Sequence, residues 1–192
     1  MHGRRGAALV AVSTVAVLAL VGCDGGSSAE PAPTTGVATE VTICEPDGTA
    51  QAMADLPAVA VVADAVAALE DELGGPQQYF EVNATARVVN LFVALNGATL
   101  AQAWAYADGA LSSTEPRAAT GGTFRAADIA VDAAAVLGPT RTEIPDSIIE
   151  TFYVHGDGTG AVEYGLLTSA LCGGGFDVTV GPAGEVLGVD PL

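Results

Sequence analysis

Glycine-bearing turns cut most of this chain into short apolar segments, and that punctuation constrains its fold more than any other feature. Asn96-Gly97 and Asp108-Gly109 are dipeptides of the kind that close antiparallel hairpins, because both tolerate positive φ. Gly156-Asp157-Gly158, residues 172–175 and Pro182-Ala183-Gly184 break up the C-terminal half in the same way. Between turns the residues alternate. Residues 79–84 set Phe80 and Val82 against Glu81 and Asn83. Residues 99–106 set Leu100, Gln102, Trp104 and Tyr106 against Thr99 and three alanines, so one face carries bulk and the other methyl groups. Residues 87–95 are apolar on both faces, as in a central strand. Further strands are expected at 37–43, 148–155, 160–170, 175–181 and 185–189.

Two segments read as helices instead. Over 56–73, Val59, Val62, Val66, Leu69 and Leu73 are spaced three and four apart and share one face. Asp55 is placed to cap this helix, Pro57 sits in its first turn and Gly74-Gly75 end it. The second is expected over 133–143, capped by Asp132 and kinked by Gly138-Pro139, after an extended stretch at 124–131. Each half then reads as a helix followed by a meander. Residues 79–83 match 151–155 at an offset of 72. The expected class is α+β: two tandem αβββ units, an antiparallel sheet packed by helices. The expected boundaries are 37–111 with a leading strand, a polar link at 112–122, and 123–192.

The first 23 residues carry an address. Arg4-Arg5 precede a 15-residue apolar run from Ala7 to Val21, the length of a signal-peptide core and short for a bilayer span. The run ends in Leu20-Val21-Gly22-Cys23, which resembles the lipobox of bacterial lipoproteins. That resemblance implies a signal peptide at 1–22, diacylglyceryl (palmitate-type) modification of Cys23, and a lipid-anchored protein on the outer face of the cell membrane. Residues 23–36 hold Gly, Ser and Pro without an apolar period and read as a flexible tether, spanning about 20 Å as a coil. The absence of Lys beside abundant Ala, Gly and Val fits an actinobacterial-type chain. At the level of element order alone, residues 55–190 resemble PepSY-like domains and the secreted β-lactamase-inhibitor-protein architecture, which implies a binding or inhibitory module.

Charge excludes some functions. The chain carries 6 Arg and 23 Asp or Glu, a net charge of −17. Removing residues 1–22 takes away two arginines and no acid, so the mature charge is −19. Such a surface repels nucleic acid and anionic lipid, so the membrane is reached through the anchor alone.

Catalytic residues are not expected. His155 is the one histidine left after processing, at a strand end before Gly-Asp-Gly, where a solvated side chain is usual. No Gly-x-Ser-x-Gly elbow occurs, and a metal site built on His155, Cys44 and Cys172 would need reduced thiols outside the cytoplasm. Glu70-Asp71-Glu72 offers too few converging oxygens for a cation. Neither a metal nor any other cofactor is expected. With Cys23 lipidated, Cys44 and Cys172 are an even pair in an oxidising compartment and are expected to form a disulfide. Trp104 and Tyr106 either pack in the core or, where exposed, are the candidate partner-binding residues, since exposed Trp and Tyr dominate recognition surfaces. The expected function is a non-enzymatic, lipid-anchored module that binds or modulates another envelope protein. The alternative is a carrier of a small apolar molecule or lipid in a cavity between helices and sheet.

Overall fold

The computed structural model describes residues 51–170 and 173–192, which fall in one compact unit. The signal peptide, the tether, the expected strand at 37–43, Cys23, Cys44 and Cys172 lie outside the described residues.

The one long helix among the described residues follows its apolar spacing except at exposed Leu73, and it starts later than its capping signal. Pro57 disfavours helical geometry in the residue before it. Leu56 accordingly adopts φ −74°, ψ 149°, and Asp55 closes a short 3₁₀ turn at Met53–Asp55 instead of capping the helix. A second 3₁₀ turn, Val59–Val61, leads into α1 at Val62–Leu73. Gly74 ends it with φ 79°, and the Gly75 N–H returns to the Glu70 carbonyl at 2.7 Å. Val62, Ala65, Val66 and Leu69 are its buried residues.

The rest is sheet. The strands are β1 Gln78–Ala84, β2 Val89–Leu95, β3 Leu100–Ala107, β4 Ala110–Ser113, β5 Arg117–Ala118 and β6 Phe124–Arg125 in the first part. They continue as β7 Ser147–Gly156, β8 Val162–Ala170, β9 Gly175–Val180 and β10 Val186–Pro191. All join one antiparallel sheet in the order β10-β9-β8-β7-β1-β2-β3-β4, with β5 on β3 and β6 on β1.

The expected α+β class, two αβββ units packed by helices, is therefore wrong. Strand accounts for 44% of the described residues and helix for 19%, with only one long helix. The second expected helix failed at its start. Pro139 enters at the first helical positions of a six-residue helix, α2 at Gly138–Glu143, where its missing N–H costs nothing, instead of kinking a longer one. Residues 133–137 form turns held by the Asp132 carbonyl, and Val136 is fully buried. The two halves meet where Val82 of β1 pairs with Val154 of β7, so two meanders close into one sheet. Residues 112–122 are no bare link, since β5 and the end of β4 both bond to β3.

The two hairpin dipeptides make different turns. Asp108 (φ 52°) and Gly109 (φ 78°) make the two-residue turn, with Ala107 opposite Ala110. Asn96-Gly97 does not, because Leu95 pairs with Leu100 and Ala98 is also left-handed at φ 64°.

One face of the sheet is the core. Tyr79, Val82, Leu91, Phe152, Leu166 and Val178 are fully buried there. Val66 and Leu69 of α1 join the same cluster, as does Val136 from the 126–144 segment. The Ala130 N–H bonds the Tyr164 hydroxyl at 2.8 Å, which ties that segment to β8. We call this side the inner face.

Candidate interaction surface

Strand alternation places Trp104 and Tyr106 on the inner side. Trp104 stands opposite buried Leu91, and Tyr106 opposite buried Val89. Both are half-buried and pack on the margin of the core. The Trp104 Nε1 is buried without a hydrogen-bond partner among the described residues. Tyr106 lines an open cleft of about 800 Å³, with Val61 on one wall and Arg87 and Asp108 on its rim.

The outer face carries a different group of residues. Phe92 and Ala94 of β2 stand opposite Ala103 and Ala101 of β3, which makes a half-exposed strip of small apolar groups around one aromatic ring. Beside it lies a polar centre. Glu81 of β1 is opposite both Phe92 and His155 of β7, and Asn83 is opposite Tyr153. The His155 and Tyr153 rings stack with centroids 5.4 Å apart and an angle of 8°.

Hydrogen bonds fix each member of this centre. His155 Nε2 lies 2.8 Å from Glu163 Oε2 on β8. The Tyr153 hydroxyl donates to Asp177 Oδ1 on β9 at 2.6 Å, two strands from its own. Such reach needs the ring to lie flat across β8, and Gly165 permits it: a Cβ there would collide with the Tyr153 ring. Asn90 Nδ2 donates to Asn83 Oδ1 at 2.8 Å, and Asn83 Nδ2 to Glu81 Oε1 at 2.6 Å. Burial pushes the Tyr153 phenol above its ordinary range, and the Asp177 carboxylate adds to this, as do Glu163 and Glu81. Tyr153 is thus held as a neutral donor committed to Asp177.

Chemically this surface is negative, with a stacked aromatic pair between carboxylates. Asp190 of β10, opposite Asp177, extends the acidic character to the sheet edge. Among the described residues no group of three or more His, Cys, Asp and Glu is arranged to hold a metal ion.

His155, expected at a strand end with a solvated side chain, lies next to the end of β7, stays partly exposed and stacks on Tyr153. Tyr153, which belongs to the 151–155 match, is not among the expected site residues. Two signals were available: Tyr153 and His155 share a parity opposite to Phe152 and Val154, and Gly165 sits inside a strand, where glycine marks close approach. Cys44 and Cys172 lie outside the described residues, as does Cys23.

Comparison with known proteins adds no relative: no protein-family model matches the chain, and no curated protein and no solved structure matches it.

Proposed function

We propose that this chain is an exported envelope protein, anchored through lipid on Cys23, that binds another protein through the outer face of its sheet without catalysing a reaction. The observation that carries this reading is the Tyr153–His155 stack, locked in place on a face left half-exposed beside the Phe92–Ala103 strip. Pre-ordered aromatic groups lose little entropy on binding, and a flat apolar centre with a charged rim is the usual anatomy of a protein interface. Charge complementarity names the partner's chemistry: lysines and arginines placed around an apolar centre, to meet Glu81, Glu163 and Asp177 on a processed chain of charge −19.

The test is capture from detergent-extracted membranes. A partner held by the wild-type protein at low salt should be lost with Ala103→Arg and with Tyr153→Ala, and kept with Tyr106→Ala. Capture that survives both outer-face substitutions refutes the reading. Fractionation of Cys23→Ala checks the anchor, since an unchanged membrane fraction would remove it.

A further inference from the structure

Apart from the outer face, α1 and the segment before α2 bound an apolar trough. Two cavities of about 340 and 310 Å³ adjoin there, sharing Val59, Ala60 and Ala133. Together they fall in the size range of small-molecule sites. Val59, Val62 and Val66 form the floor, and Ala63 and Ala67 stand exposed along one wall. Ile129 and Val131 line the other. From Val62 to Glu70 the helix runs about 12 Å at 1.5 Å per residue, and the Val59–Val61 turn extends the wall.

The walls decide what kind of molecule fits. A peptide strand would pair with backbone donors along the far wall, and three of these are already used. The N–H of Ala130 bonds the Tyr164 hydroxyl, that of Asp132 the Pro182 carbonyl at 2.8 Å, and that of Val136 the Asp132 carbonyl at 2.9 Å. The backbone of α1 is bonded within the helix. A hydrocarbon chain needs no partners.

The two ends differ in charge. Glu70 closes one end, and its carboxylate already accepts from the Tyr79 hydroxyl at 3.2 Å and the Gln77 N–H at 3.1 Å. Arg141 stands at the other, its Nη1 3.4 Å from the Sδ of exposed Met53. Among the described residues it has no carboxylate within ion-pair distance, in a chain where acids far outnumber arginines. An unpaired guanidinium at the mouth of an apolar trough complements an anionic head group.

We infer that this trough binds one long-chain fatty acid, with its hydrocarbon lying along the alanine face of α1 and its carboxylate on Arg141. The site is independent of the outer-face reading.

Calorimetric titration of the exported full chain carrying Cys23→Ser, with myristate below its micelle concentration, tests it. One equivalent should bind saturably. Ala63→Phe, which fills the trough from an exposed helix position, should abolish binding while leaving the circular dichroism and thermal midpoint unchanged. Arg141→Gln should weaken myristate about tenfold, the value of one charge-assisted hydrogen bond, and leave myristyl alcohol unaffected. Ala103→Arg, on the outer face, should change nothing. Absence of saturable binding, full binding by folded Ala63→Phe, or equal loss of acid and alcohol in Arg141→Gln would each overturn the proposal.

Discussion

Gly165→Ala is the sharpest test of how the outer face is built. The new methyl falls on the Tyr153 ring, with Cε1 at 2.6 Å, and backbone on both sides leaves β8 no room to yield. The ring must lift, and its hydroxyl loses Asp177. A hydrogen bond to a charged acceptor contributes about 1.5–3 kcal/mol, and this one is part-buried, so the lower half of that range applies. Alanine recovers about 0.5–1 kcal/mol over glycine in a strand. The net loss is then about 1 kcal/mol, or about 2–4 °C in Tm for a unit of this size. Stacking on His155 loosens as well, which favours the larger shift. The decisive assay is a double-mutant cycle read by urea and thermal unfolding. With Tyr153→Ala already present no ring remains to collide, so Gly165→Ala should be neutral or slightly stabilising there. Equal destabilisation in both backgrounds would refute the argument, because the cost would then lie in the backbone of β8.

Tyr153 and Tyr79 have phenols raised above their unfolded value of 10.0, both chiefly by burial, with Asp177 and Glu70 adding respectively. A raised folded pKa stabilises below the unfolded value and is lost as pH climbs past it, so stability should hold to about pH 10 and fall above it. Tyr153→Phe should flatten that alkaline limb, and an unaltered limb counts against the assignment. Leu69, fully buried between α1 and the sheet, should cost about 2–5 kcal/mol as Leu69→Ala in urea unfolding, and a cost under 1 kcal/mol would mean the helix is not docked as described. Cys44 and Cys172 of the exported protein should resist alkylation until reductant is added. Modification of both thiols beforehand, seen by intact mass, would exclude the bridge.

Periodicity and turn chemistry made much of the local structure legible. The spacing of Val62, Val66 and Leu69 is that of a helix, and its apolar face is the buried one. The alternation of Phe152 and Val154 against Tyr153 and His155 is that of a strand, and it separates two faces. Asp108-Gly109 closes its hairpin because both residues accept positive φ, a local demand met by local chemistry. Where proline acts also depends on its neighbours. Pro57 delayed one helix and Pro139 opened another, since the same ring forbids helix before it and permits helix after it.

Pairing is a different kind of information. A strand's hydrogen-bonding edges look alike from its sequence, so β1 carried no sign that it would bond β7 and merge two meanders into one sheet. Alternation likewise shows that a strand has two faces without saying which of them a helix will cover. Trp104 and Tyr106 were the conspicuous aromatic residues, and packing turned them inward, while the alanines opposite them became the open side. The Tyr153 bridge across Gly165 to Asp177 joins three strands through residues up to 24 positions apart. The sequence determined which residues could share a face; only tertiary packing decided which face met water, because burial is set by the neighbours a strand acquires and not by the residues along it.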